Sequence, residues 1–176
     1  MNSVNALEGI RFYVSFACSW AFAELKKMEG NAKTIKLIAR DENIHLGSTQ
    51  TLIKLLPQDD ADYAKLKEET LAECEAMFLK AAQQEKEWAE YLFRKGVVIG
   101  LNANILKDFV DYTAYTKLKD IGIKYLAEHP KTTPIPWFNK HVNINKKQTA
   151  LQENESTNYV IGVMSEIVAN EELPDL

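Results

Sequence analysis

Ala39-Arg40-Asp41-Glu42-Asn43-Ile44-His45 lies inside a long helical pattern, Asn31 to Leu56, and carries Glu-x-x-His. Residues three apart share a helix face, so Glu42 and His45 point the same way. Ile35, Ile38 and Leu46 flank them on an apolar stripe. A carboxylate on a buried face is costly unless something pairs with it. A metal ion is one such partner, and a carboxylate with an imidazole suits iron or manganese. On its own, Glu-x-x-His is a weak signal and reads better as a partly exposed helix pair; its support comes from Glu8 upstream and from the chain's end.

Upstream, Val4, Leu7, Glu8, Phe12, Ser15 and Phe16 recur at helical spacing, placing Glu8 on one face with Phe12 and Phe16 one and two turns on. Asn2 or Ser3 is placed to cap this helix. A domain that opens directly in a core-facing helix reads as cut rather than begun. Glu8 and Glu42 are 34 positions apart, so two antiparallel helices bring them level only if the turn lies near Leu25. A turn at Gly30-Asn31 would leave arms of about 22 and about 11 residues, a mismatch of roughly 16 Å. A shared site therefore requires the first helix to end around Ala21 to Glu24 and the second to start around Lys27 to Glu29. Propensity alone would run the first helix on to Gly30.

Downstream, Pro57-Gln58-Asp59-Asp60 reads as the break that ends the second helix. A third helical run, about Ala61 to Arg94, offers Leu66, Leu71, Met77, Phe78, Ala81, Trp88 and Leu92 as core contacts, and Gly96 ends it. A fourth, about Asn104 to Leu126, offers Ile105, Phe109, Tyr112 and Leu118, with Gly122 marking a bend or an early stop. No alternating runs sit between turn dipeptides, so the fold class is all-α. The proline-rich stretch from His129 to Trp137 is extended, pinned by Trp137 and Phe138; His129 and His141 read as structural or exposed. From about residue 145 periodicity fades and Gln, Asn, Glu, Ser and Thr dominate, which divides the chain into a helical domain, 1–144, and a flexible tail, 145–176. Apolar residues scattered through that acidic tail also suit docking on a partner.

The 176 residues suffice for one sizeable core. A net charge of −4 carries no basic footprint for nucleic acid. The start lacks a basic n-region, and the longest apolar run, Phe12 to Ala23, is too short to span a bilayer. The expected location is the cytoplasm. Cys18 and Cys74 stand apart in helical surroundings and read as buried reduced thiols.

Several separated blocks closely resemble the small, radical-bearing subunit of class I ribonucleotide reductase. They are Ser3 to Ser19, Met28 to Lys33, Ile38 to His45, Ala81 to Lys86, Ile135-Pro136-Trp137, and Tyr159 before an aliphatic residue and Gly162. They cover essentially the whole chain in order. The resemblance implies a ferritin-like helical bundle with a di-iron, sometimes di-manganese, carboxylate site. In that family the site generates a tyrosyl radical, which passes to the large subunit to begin reduction of a ribonucleotide. It places Glu8, Glu42 and His45 on three metal ligands. Phe12 and Phe16 fall on the apolar sheath, although core packing constrains both equally well. Asp41 falls on an acid that hydrogen-bonds a ligand histidine, Tyr159 on the tail tyrosine that relays the radical between subunits, and Glu153 on a tail acid tied to subunit coupling. The last residues resemble the peptide that anchors the small subunit on the large one. Ferritin-like oxygenases, desaturases and ferritins share the ligand set but not this tail.

The departure from the family lies in the count. A bundle of this type takes one Glu from each of two helices and a Glu-x-x-His from each of two others. This sequence holds one of each, three ligands of six. The other half-site and the radical tyrosine are expected in an N-terminal half upstream of Met1. Three readings stay open. The gene is split and two separately encoded halves assemble, an interruption that would suit a phage or prophage genome, with the host cytoplasm as location. The sequence is a fragment of an ordinary subunit. Or the half persists as a catalytically incomplete helical module that binds the large subunit. In the first two, the completed small subunits are expected to pair as the family's homodimer. Alone, the chain is not expected to hold a di-iron centre, which only the ligands of the N-terminal half would complete: purified by itself it should bind little iron and give no tyrosyl radical, and its open helix faces are expected to associate.

Overall fold

Residues 1–98 and 100–142 are described by the structure, a computed structural model, and within them the secondary structure is helical, with no strand. Glu153 and Tyr159 lie outside the described residues. Helix α1 spans Asn2–Ala6, a π-helical turn Leu7–Arg11, and α2 Tyr13–Glu24. Then come α3, Glu29–Asp59, α4, Ala61–Glu69, α5, Leu71–Phe93, α6, Ala103–Asp120, and a short α7, Phe138–Val142. The first segment has no side-chain cap; Asn2 instead donates through Nδ2 to Cys74 Sγ at 2.9 Å. Both cysteines are free and half-buried.

The turn between α2 and α3 falls where two level carboxylates require it. Helix α2 ends at Glu24 and α3 begins at Glu29. Trp20, fully buried, fixes the pairing by donating Nε1–H to the Ala32 carbonyl at 3.2 Å. The reversal forces Lys26 and Met28 into left-handed backbone, φ 57° and 51°. That conformation costs an L-residue roughly 1–2 kcal/mol, more than the ~0.4–1 kcal/mol by which a glycine loosens the unfolded chain. Met28 is 61% exposed, so its side chain has little packing to lose. Met28→Gly is therefore expected to stabilise the fold by about 0.5–1 kcal/mol, measured by urea unfolding; a destabilised variant would show the strain is absent.

Along α3 the buried residues are Ala32, Ala39, Leu46 and Ile53. They are seven apart, one narrow seam along a 31-residue helix. Ile38 and Leu52, also seven residues either side of His45, are 41% and 46% exposed. The stripe expected around the motif is thus split: Leu46 enters the core, Ile35 is half-buried and Ile38 faces solvent. The first segment shows the same geometry. Its buried pairs are Asn5-Ala6, Gly9-Ile10 and Tyr13-Val14, one every four residues, while Leu7 and Ser15 are exposed. The face carrying Glu8 is therefore an open edge of the bundle, not its core. A repeat of four outruns the 3.6 of an α-helix, and the wider π turn absorbs the difference.

Pro57 does not end α3, which continues to Asp59. A proline removes one backbone bond, and here the stop comes from Asp60, extended and accepting the Asp62 N–H at 2.9 Å. The third run is two helices, broken at Thr70. Helix α4 buries nothing, and Leu66, Leu71, Trp88 and Leu92 are exposed rather than core. The buried stripe of α5 is Phe78, Ala81, Ala82, Glu85 and Ala89. Helix α6 starts on Asn102, which caps the Ile105 N–H at 3.0 Å, and stops at Asp120, before Gly122 at φ 75°. Lys86 clamps α5 to α6 through both oxygens of Asp111, at 3.0 and 3.3 Å, and Tyr125 donates to the same carboxylate. Phe138 is 3% exposed and its ring lies 4.7 to 5.5 Å from those of Phe109, Trp20 and Tyr13. His141 stacks on Trp20 and bonds Glu24; His129 stacks on Tyr115.

Candidate metal centre

The π turn brings Glu8 against α3. Gly9 permits the approach: a Cβ there would meet Leu46 Cδ1 at 3.2 Å. One turn of α3 then presents Glu42 and His45 to the same point. His45 Nδ1 lies 3.5 Å from Glu8 Oε1 and 3.4 Å from Glu42 Oε2, and ligand atoms of all three lie within 4.8 Å of one another. The carboxylates are mostly covered, at 14% and 19% side-chain exposure, whereas His45 is 58% exposed. Burial holds the Glu8 carboxyl above its ordinary range; His45 pulls it down and neighbouring Glu42 pushes it up. Glu8 Oε2 is buried with no hydrogen-bond partner. Two carboxylates, one imidazole and an orphaned buried oxygen form a hard N/O donor set suited to iron or manganese. A π turn at such a place is itself a common mark of function.

The family model for the small chain of ribonucleotide reductase matches residues 1–134. The chain belongs to this family. It is 49% identical over 173 residues to ribonucleoside-diphosphate reductase 1 subunit beta of Salmonella typhimurium, covering 97% of this chain and 46% of that one. It is 40% identical over 165 residues to the subunit beta of Enterobacteria phage T4, covering 92% and 42%. Among solved structures it is similar to the ribonucleotide reductase R2 subunit from Clostridium botulinum, with a TM-score of 0.71 at 28% identity, over 79% of this chain and 43% of that one. The helical fold is the ferritin-like one of that family. The chain spans about half the length of the relatives it matches.

Against this small-chain background, Glu8, Glu42 and His45 converge from two elements, and Phe12 and Phe16 stack at 5.9 Å, with Phe16 buried and Phe12 half-buried. Asp41 stands apart from the cluster. Its side chain is 53% exposed and pairs with Arg40 at 3.0 Å. Tyr159 and Glu153 lie outside the described residues. Among the described residues no helix is long and apolar enough to cross a membrane.

Reading by motif overlooks Glu85. It is 5% exposed, with one carboxylate oxygen unpartnered, and burial pushes it up to about 7, against the pull of the Val14 N–H and Arg11. Cys18 beside it is pushed up to about 11, chiefly by burial and then by Glu85. A signal existed: Glu85 occupies the same helical stripe as Ala81, Ala82 and Ala89, a carboxylate set among small apolar residues.

Proposed function

We propose that this chain is the C-terminal half of the small, or beta, subunit of ribonucleoside-diphosphate reductase, and that Glu8, Glu42 and His45 are half the ligands of its di-iron or di-manganese centre. When bound, that centre supplies the one-electron oxidation of a tyrosine, whose radical starts ribonucleotide reduction in the large subunit for DNA synthesis. Glu8 and Glu42 bind through carboxylate oxygens and His45 through an imidazole nitrogen. Phe12 and Phe16 exclude water from that side. Asp41 hydrogen-bonds a ligand histidine. In the tail, residues 145–176, Tyr159 relays the radical, Glu153 couples the subunits and the last residues dock on the large subunit. The completed subunits pair as a homodimer in the cytoplasm, in a host's if the gene is a phage's. The convergence of the three donor side chains on an otherwise open edge carries this reading.

Three ligands are half a set, which also favours a second reading: a catalytically incomplete module that binds the large subunit alone. One experiment separates them. The chain is mixed with a complementary half bearing an Asp or Glu, a Glu-x-x-His and a nearby Tyr, then with iron and oxygen. A tyrosyl-radical EPR signal that Glu42→Ala removes is expected, together with deoxyribonucleotide formation once the large subunit is added. Binding to the large subunit with no radical supports the module. A stoichiometric radical from this chain by itself defeats the half-site reading.

A further inference from the structure

We propose that α5 brackets the π turn through Gln84, Glu85 and Trp88, and that Glu85 is the positioning residue that keeps Glu8 in register with α3. The inference rests on the ligand reading made above and extends it to residues outside the cluster.

The π turn, Leu7–Arg11, hands over to α2 at Phe12. A π bond reaches one residue further than an α bond, so backbone groups at such a junction lose their usual partners. Phe12, the residue before α2, offers no side-chain cap. Helix α5 supplies the contacts instead. Gln84 Oε1 accepts from Arg11 Nη2 at the end of the π turn. The Glu85 carboxyl accepts the Val14 N–H in the first turn of α2. Trp88 Nε1–H donates to Ser15 Oγ at 3.2 Å. The three side chains share about one turn of α5, and the groups they hold lie on both sides of the junction. Ala81, Ala82 and Ala89 flank Glu85 on the buried stripe of α5. Their small side chains let the two backbones come close enough for a carboxyl to reach a backbone N–H.

Glu85 is the inner contact of the three. It is buried with Oε1 unpartnered, whereas Gln84 and Trp88 are exposed. A buried carboxyl is a costly way to fill space, and leucine would fill the same place without that cost. The acid does what leucine cannot: it holds an N–H at a helix N-terminus, whose partial positive charge favours it. Protonated or ionised, it keeps a carbonyl oxygen for this bond. Without it, Val14 can bond back to Ile10 in the α register, and the extra residue of the π turn migrates along the helix. Glu8 lies inside that turn, so its register with His45 is lost as well.

The test combines the full chain with the part of the Salmonella relative that it does not span. Co(II) uptake is followed by the cobalt visible spectrum, and amide hydrogen exchange of the chain by NMR. Glu85→Leu is expected to weaken Co(II) uptake by about tenfold or more, the effect of losing a residue that orients a metal ligand from outside its shell. It is expected to speed exchange of the Val14 amide by about tenfold relative to that of Val110 in α6, with no loss in the urea midpoint. A merely structural role would move both amides and the midpoint together. Glu85→Gln, which keeps an acceptor, is expected to restore parent behaviour. Trp88→Phe, which loses the bond to Ser15, is expected to act in the same direction more weakly, and it stands in if Glu85→Leu does not fold. Parent-like Co(II) uptake or Val14 exchange in Glu85→Leu, or in Trp88→Phe where it stands in, overturns the proposal while the ligand reading survives. Failure of glutamine to restore either property overturns it too. No Co(II) uptake by the parent pair overturns both.

Discussion

Phe138→Ala is expected to lower stability by about 3–5 kcal/mol, the range for truncating a buried aromatic ring. Domains are stable by only ~5–15 kcal/mol, so roughly a fifth of the margin or more is at stake. Phe138 sits beyond all the long helices, in a five-residue helix with little cohesion of its own. Its ring nevertheless enters between α2 and α6, against Tyr13, Trp20 and Phe109. Ile135, 1% exposed, anchors the irregular stretch before it. Removing the ring leaves a cavity walled by three aromatic side chains that cannot collapse independently. Trp137→Ala, at a half-buried position, is expected to cost distinctly less. Urea unfolding of both variants measures the difference, and equal losses would show that Phe138 is not the pin.

Glu85→Gln is expected to remove most of the pH dependence of stability between about pH 4.5 and 7. In the folded chain the carboxyl is raised from 4.5 to about 7 by burial, so folding favours the protonated form. Between those values the folded state binds more protons than the unfolded one, and stability falls as pH rises. The contribution is fully present below pH 4.5 and lost through pH 7, in total on the order of 3 kcal/mol. Glutamine keeps the shape and cannot ionise. The variant should match the parent near pH 4 and exceed it at pH 8 by up to that amount. Thermal melts across this range decide the matter; parallel curves for the two proteins would mean that Glu85 ionises in the fold at its ordinary value.

The long-range part of the fold was more legible than the local part. The position of the α2–α3 turn followed from requiring Glu8 and Glu42 to meet, and the helices end and begin at Glu24 and Glu29 as that requirement demands. Propensity would have placed the turn at Gly30. The all-helical class followed from periodicity in the same way. What periodicity could not give was which of two adjacent stripes turns inward. Leu7 and Ile38 look like core residues, yet among the described residues they line the open edge, 45% and 41% exposed. The π turn was hidden since it is a pattern of backbone bonds, although the repeat Asn5, Gly9, Tyr13 carries its trace. The end of α3 beyond Pro57 was likewise settled by the Asp60 cap rather than by composition, whereas the break at Thr70 carries no side-chain cap.

The wide turn at Leu7–Arg11 makes this segment a phase lock. Deleting one residue there returns it to ordinary α geometry, which keeps the flanking turns in phase only by giving up the bulge that sets Glu8 against α3. Asn5 and Ala6 can then stay in register with the core, or Glu8 can stay in register with His45, but not both. Chain length between Val4 and Phe12 is thus as strict a condition on the proposed metal centre as the identity of its proposed ligands. A one-residue insertion or deletion in this interval should be tolerated no better than the loss of Glu8 itself.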